Sequence, residues 1–582
     1  MTMRSVPPRD RGWVYPQTRS PGRTKYALPQ VSFKSSNDDK VATRSSVDRR
    51  PRGVSQRLIL FVVLFVGVVC SDPAKLSAQS RSAAPGKLPS AEKVVDGYLN
   101  AVGGKKRVAA IRDATYEWEI KLKDRTMGIA KTEIKAPASV RAELSFGNGR
   151  IVSAANPRSA WMRGLDGKLH TLTDAEAAAA RLQALLDASH LVDLKKGNVL
   201  SRVVALKPVE AGPAYVVEFS LRSGARLRYL FSSNTKLLIG IEDDARKTVT
   251  RLDDYRAEGN ILEPHRMSID SGGTGELIFA LQGAKYNTGI SESAFDPPRA
   301  AESVDVAELL REVSRNQDQL EQRFTEYSFV QKETEREISS KGEVKKETVK
   351  VFEVFPIANR EPVKKLISED GVELTGERAA KEQKRVEEEF AKAERDKEKD
   401  AERVQKSRAD RERKKAEKAK KGEDDEVEIS QFLKIHEFVS PRRERFRERE
   451  AIVFDFRPRP GFKPSNRQED LISKLVGVAW IDPADNQVMR LEARLAEGFK
   501  MGGGLLVNLK PGAAFVMEQT RMVEGVWLPR MAQINLSVKV LLFGGGDYNQ
   551  TIEWSDYKHF SGDVGDYKLD APKPDTPPEK RP

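Results

Sequence analysis

A chain of 582 residues is too long for one hydrophobic core, because domains run to about 100–200 residues, and its formal net charge is +13. A net +9 of that charge lies in residues 1–57, so the body that follows is close to balanced and gives no ground for a nucleic-acid-binding surface. Hydrophobic residues at 39% and charged residues at 32% describe soluble domains interrupted by very polar tracts.

Residues 1–57 read as a basic, disordered segment. The apolar run Leu58 to Val69 has the length of a signal-peptide core and falls short of the roughly 20 apolar residues that a membrane-spanning helix needs. Export to the periplasm or cell envelope is expected, with residues 58–78 as signal and cleavage region and cleavage after Ala78; the alternative is an uncleaved anchor over 58–70. Translation from Val54 would turn the front end into an ordinary signal peptide. Cys70, the single cysteine, stands where a bacterial lipoprotein carries its acylated cysteine, but Gly67-Val68-Val69 fits that pattern badly. A chain cut after Ala78 has no cysteine and no disulfide.

After a linker over 79–89, a first domain is expected over 90–298. Ser90 is placed to cap a helix whose Val94, Val95, Tyr98, Leu99 and Val102 recur at helical spacing, and Gly103-Gly104 stops it. Tyr116, Trp118, Ile120 and Leu122 then alternate with Thr115, Glu117, Glu119 and Lys121, the pattern of a half-buried strand. Val140, Ala142, Leu144 and Phe146 repeat it before the turn Gly147-Asn148-Gly149. Thr173 and Glu176 form a capping box for a helix over Ala175 to Ala188, and strands follow at Tyr215 to Leu221, Arg226 to Phe231, Thr248 to Tyr255 and His265 to Ile269.

The second domain, 303–570, opens with a helix stripe at Val306, Leu309, Leu310, Val313, Leu320 and Phe324, then strands at Tyr327 to Gln331, Thr348 to Phe355 and Lys364 to Ser368. Residues 377–426 are almost wholly Lys, Arg, Glu, Asp and Ala. Val386, Phe390 and Val404 sustain no heptad, so this reads as a solvated charged helical insertion, with an arm that contacts an envelope partner as the sharper reading. Residues 571–582 are a disordered tail. A strand-turn-strand module recurs. Tyr229 to Phe231, Ser232-Ser233-Asn234, Leu237 to Ile239 and Glu258-Gly259 correspond to Trp480-Ile481, Asp482 to Asn486, Val488 to Leu491 and Glu524-Gly525. The expected fold class is α+β: two tandem curved antiparallel sheets, open half-barrels each packed with helices, with the charged insertion in the second.

Chemistry-bearing motifs are missing from the sequence. His170, His190, His265, His436 and His559 are scattered without metal spacing, and neither Gly502-Gly503-Gly504 nor Gly544-Gly545-Gly546 is followed by the Lys-Ser/Thr of a phosphate loop, so both read as hairpin turns. No Gly-x-Ser-x-Gly elbow occurs. A non-enzyme without cofactor or metal is expected. The remaining signal is aromatic and apolar residues on strands. Tyr116, Trp118, Ile120, Leu144, Phe146, Trp161 and Phe219 in the first domain, with Tyr327, Phe329 and Trp480 in the second, are the candidate ligand-binding residues. Trp118 and Trp161 are expected on one concave side.

The close of the first domain, Asp254-Tyr255-Arg256, Glu258-Gly259, Leu262, Pro264-His265-Arg266, Tyr286-Asn287 and Glu292-Ser293-Ala294-Phe295-Asp296-Pro297, resembles that of bacterial outer-membrane lipoprotein-sorting-like proteins. Its opening, Tyr98-Leu99-Asn100-Ala101-Val102-Gly103-Gly104, is similar to theirs too. The resemblance spans roughly 90–298 and, more loosely, 303–560. It implies the periplasmic lipoprotein-carrier fold, an open half-barrel that shields lipid or the acyl chains of a lipoprotein, with membrane contact. Similar domains in periplasmic stress-sensor regulators imply the alternative, a protein-protein interaction module without lipid transport.

Overall fold

The computed structural model describes residues 88–559 except 245, 271–275, 300–303, 325, 340, 356, 358–361, 396–431, 502–506, 523–524 and 541–543. All of these belong to one compact unit, Ser71–Pro582. The signal and linker segments up to 87, the start at Val54, Val404, Gly502-Gly503-Gly504 and the tail 571–582 lie outside the described residues. Among the described residues no helix is long and apolar enough to cross a membrane.

Helix α1 (Ala91–Ala101) begins as its sequence dictates, with Ser90 Oγ accepting from the Lys93 amide at 3.3 Å. The short α2 (Lys105–Ala109) follows. Sheet one contains β1 (Asp113–Leu122), β2 (Arg125–Lys135), β3 (Ser139–Phe146), β4 (Gly149–Ala155), β5 (Ala160–Arg163) and β6 (Leu169–Thr171). After α3 (Asp174–Ala188) it continues with β7 (Leu200–Val209), β8 (Gly212–Ser220), β9 (Arg226–Ser232), β10 (Leu238–Asp243), β11 (Thr248–Glu258), β12 (Ile261–Asp270) and β13 (Leu277–Tyr286). Two antiparallel meanders, β1 to β6 and β7 to β13, are joined by the pairing of β1 with β13, and the sheet stays open at β6 and β7.

α4 (Val306–Phe324) leads into sheet two: β14 (Tyr327–Ile338), β15 (Val344–Phe355), β16 (Val363–Glu369) and β17 (Val372–Glu373), then α5 (Gly376–Arg395). Next come β18 (His436–Phe446), β19 (Arg449–Pro458), α6 (Arg467–Ile472), β20 (Leu475–Asp482) and β21 (Gln487–Leu495). The last strands are β22 (Phe499–Met501), β23 (Val507–Leu509), β24 (Ala514–Arg521), β25 (Trp527–Val540) and β26 (Gly544–His559). As in sheet one, the strand after the first helix, here β14, pairs with the last strand, β26, but the first arm has four strands in place of six. The repeated modules become the hairpins β9–β10 and β20–β21. Gly259 (φ 60°) and Gly525 (φ 82°) turn the chain into β12 and β25 through left-handed conformations that an L side chain rarely adopts. The extra length of the second module is the small β22–β23 hairpin.

Three expectations are corrected. Gly544-Gly545-Gly546 is not a turn but the start of β26, paired with Val540, Lys539 and Val538. Thr173 makes no side-chain cap; Asp174 sits at φ 54° with its carboxylate turned to Arg490 across the molecule. The first part of the charged insertion is not wholly solvated. Val386 and Phe390 of α5 are buried against Phe355 and Val363, and Glu382 accepts from the Leu366 amide at 2.8 Å. Two apolar residues one turn apart suffice for a stripe, even in a segment too polar to sustain a heptad.

α1 and α3 lie on one face of sheet one. Val94, Val95 and Leu99 of the first and Leu182 and Leu186 of the second share a core with Tyr116, Trp118, Ile120, Phe219 and Tyr229. α4 covers one face of sheet two, where Val306, Leu309, Leu310 and Val313 meet Ile452, Phe454, Ala479 and Ile481. The opposite face of sheet two carries a buried polar layer that meets sheet one. Glu444 accepts from the Thr171 amide and hydroxyl, both at 2.7 Å, and Ser159 donates to Asp455 at 2.5 Å. Arg442, Glu444, Asp455, Arg490, Glu492 and Glu518 in this layer are all buried. Such groups persist only when they are paired, and here they are.

Candidate functional site

The alternation of β1 sends Tyr116, Trp118 and Ile120 to the helix-covered face of sheet one, where all three are buried. Tyr116 packs edge-on against Tyr286 at 6.2 Å and tilted against Trp118 at the same centroid distance. Across the interior Phe219 meets Tyr229 edge-on at 5.2 Å, and Tyr98 of α1 meets Phe231 at 5.5 Å. Leu144 and Phe146 lie half-buried at the margin of the same cluster.

Two carboxyl groups are set into this aromatic interior. Glu263 Oε1 accepts from Tyr116 Oη at 2.9 Å and from Tyr286 Oη at 3.0 Å. Burial raises its pKa to about 7 against the lowering effect of those two phenols, with Glu258 adding to the rise. Asp187 accepts from Tyr229 Oη at 3.2 Å, and burial lifts it to about 6 against that bond and the nearby Arg246. Burial likewise holds the phenols of Tyr98, Tyr116 and Tyr229 in their neutral form. The interior is therefore aromatic, with carboxyl groups that readily take up a proton.

Trp118 differs from its neighbours. Its indole nitrogen is buried and has no hydrogen-bond partner among the described residues. A buried unmet donor of this kind costs about 1–3 kcal/mol, so a native structure that keeps one has a use or a compensation for it.

Of the ten residues singled out in the sequence, Tyr116, Trp118, Ile120, Leu144, Phe146 and Phe219 come together here. Trp161 does not, and the expectation that it shares the side of Trp118 is corrected. Trp161 pairs with Ala154, and Ala154 with Arg141, whereas Trp118 pairs with Ala130 and Ala130 with Leu144; the period of two puts the tryptophans on opposite faces. Trp161 packs with Val152 and Ala154 and donates to the Phe295 carbonyl at 3.1 Å. In sheet two, Tyr327 and Phe329 gather with Phe324, Tyr557 and His559 at the end of α4. Trp480 lies on the face away from α4, buried beneath Phe446 and the Arg490 guanidinium. These three form no common site.

Sequence reasoning missed Tyr98, Tyr229, Phe231, Tyr286, Glu263 and Asp187. The first four stood in recognised stripes or motifs but read as core or turn residues, and no local signal marks Glu263 as a buried acid. The motif at the close of sheet one also has a structural use. Asn287 accepts from the Arg112 amide at 2.7 Å, and buried Asp113 accepts from the amides of Thr288 and Gly289, which ties the end of β13 to the start of β1. No cluster of His, Cys, Asp or Glu able to hold a metal occurs among the described residues.

No family model matches the chain, and no curated protein matches it. Among solved structures, the chain is similar to a DUF1329 family protein from Desulfovibrio piger at 12% identity and TM-score 0.25, over 35% of this chain and 96% of that one. It is similar to the LolA superfamily protein NE2245 from Nitrosomonas europaea at 10% identity and TM-score 0.26, over 36% of this chain and 99% of the other. A third likeness is to the Pseudomonas aeruginosa MucA/MucB complex structure, at 7% identity and TM-score 0.16, over 81% of this chain and 99% of that chain.

Proposed function

We propose that this is an exported cell-envelope protein that binds a lipid, or the acyl chain of an acylated protein, between sheet one and the helices α1 and α3, and that it acts by binding and not by catalysis. The observation that carries the reading is the Trp118 indole N–H, buried without a partner among the described residues in an aromatic interior. A carbonyl of a lipid ester or amide accepts that donor. The hydrocarbon lies along Tyr116, Ile120 and Phe219 and gains about 0.8 kcal/mol per methylene buried. Burial raises the proton affinity of Glu263, which favours its neutral form and limits the charge in the interior. In this conformation those side chains are buried against one another, so entry requires α1 or α3 to separate from the sheet. Tyr327, Phe329 and Trp480 take no part in this site.

The test is a titration of the whole protein with a monoacylglycerol, followed by tryptophan emission and calorimetry, with Trp118→Phe as the paired variant. The variant keeps the aromatic ring and removes the donor. Loss of one hydrogen bond worth about 1 kcal/mol weakens the ester lipid about fivefold. No binding to the wild type defeats the reading and leaves the interaction module in its place; equal binding to both proteins defeats the role of the indole.

A further inference from the structure

On the face of sheet one away from α1 and α3 lies a cavity of about 370 Å³, lined by Glu133, Arg141, Arg150, Val152, Trp161, Arg163, Ala294, Asp296 and Pro298. From it we infer a second ligand site, which takes a small oxyanion, phosphate or carboxylate, carried on an apolar body. The cavity is of a size that holds a small organic ligand.

Among the described residues most of the charged groups around the cavity are matched, but one arginine is not. Arg141 is shared between Glu133 at 3.1 Å and Glu143 at 2.5 Å, and Arg150 reaches the same Glu143 at 2.7 Å. Lys131 also contacts Glu133, at 2.5 Å. Asp296 is taken by Arg158. Arg163 has no carboxylate partner among the described residues; its Nε donates to the Gly167 carbonyl at 3.1 Å, which leaves the outer guanidinium nitrogens to a ligand. Cations therefore exceed carboxylates around the cavity. The planar donor fork of an arginine matches phosphate or carboxylate oxygens two at a time.

The apolar part is contributed by Val152, Ala294, Pro298 and the Trp161 indole, which is fixed by its bond to Phe295. The 3-10 turn Glu292–Phe295 holds that wall in place, since Ser291 caps it and Phe295 is fully buried. A guanidinium rim over an apolar wall suits an amphiphilic anion better than a bare ion. The site lies across the sheet from the Trp118 interior and does not depend on the acyl-binding reading.

The test uses the whole protein and three probes: phenyl phosphate, inorganic phosphate and phenol, measured by calorimetry at low salt. Phenyl phosphate is expected to bind, inorganic phosphate to bind more weakly and phenol not to bind. Arg163 is exposed, so Arg163→Gln leaves the fold intact and lowers phenyl phosphate affinity about tenfold. Lys207→Gln, a lysine on β7 outside the cavity lining, leaves the affinity unchanged. Failure of phenyl phosphate to bind, or equal loss in both variants, overturns the inference. Binding only to vesicles that contain phosphatidic acid, with no binding of the soluble probe, also overturns it in favour of a membrane surface.

Discussion

Arg490 of β21 donates through Nη2 to Asp174 Oδ1 at 2.8 Å, which joins residues 316 positions apart and ties sheet two to the first residue of α3. The same guanidinium donates to Glu518 at 2.7 Å and to Glu492 at 3.0 Å and lies over the Trp480 ring, with only 1% of the side chain exposed. Removing the arginine takes away the most deeply buried partner of Glu518 and Glu492, although Glu518 keeps Arg447 and Arg530 and Glu492 keeps Arg494 and Arg181. Arg490→Met is expected to destabilise the protein by about 2–3 kcal/mol, measured by urea unfolding. Asp174 is half-exposed, so Asp174→Asn is expected to cost no more than about 1 kcal/mol. Equal costs for the two would place the energy in the Arg490–Asp174 pair instead of in the buried cluster.

Glu263 gives stability a distinct pH dependence. Its folded pKa, about 7, lies above the ordinary value of 4.5, so the folded state holds its proton where the unfolded state has released it. The resulting stability is complete below about pH 4.5 and is lost as pH rises through 7. Asp187, lifted to about 6, acts in the same direction. Glu263→Gln cannot ionise, so its melting temperature is expected to fall less than that of the wild type between pH 5 and pH 8, with the remaining slope due to Asp187. An unchanged slope would show that Glu263 is ionised in the folded protein throughout.

The buried side of α5 makes its removal costly. Phe390 meets Phe355 edge-on at 5.7 Å, and Val386 is fully buried. Phe390→Ala is expected to destabilise sheet two by about 3 kcal/mol. Replacing 377–426 by a Gly/Ser linker should then lower the melting temperature, whereas a fully solvated arm could be removed without effect.

Gly477 of β20 has no room for a side chain. A Cβ built there lies 1.9 Å from the Glu492 carbonyl oxygen and 2.7 Å from Phe456 Cζ. Both neighbours are held by the sheet, so Gly477→Ala is expected to cost about 3 kcal/mol, read as lost soluble yield and a lower urea midpoint. An alanine variant of unchanged stability would mean that β20 and β21 can separate locally.

The sequence by itself determined the elements and much of their order. Alternation in Tyr116-Glu117-Trp118-Glu119-Ile120 defined β1 and its buried face, the serine cap and the apolar spacing defined α1, and Glu258-Gly259 marked a turn that needs a left-handed residue. Each of these signals is local, carried by residues within a few positions of one another. What lies across the sheet was decided by tertiary structure. Strand pairing put Trp161 on the face opposite Trp118, because face is set by register and register by partners far along the chain. The pairing of β1 with β13 placed Tyr116 and Tyr286 together over Glu263, and burial there, which no neighbour in sequence reveals, moved its proton affinity. The contact of α3 with sheet two made Asp174, next to the Thr173 that the sequence marked as the cap, the partner of Arg490. Periodicity fixes which way a side chain points within its own element, while the groups it meets depend on contacts between distant parts of the chain.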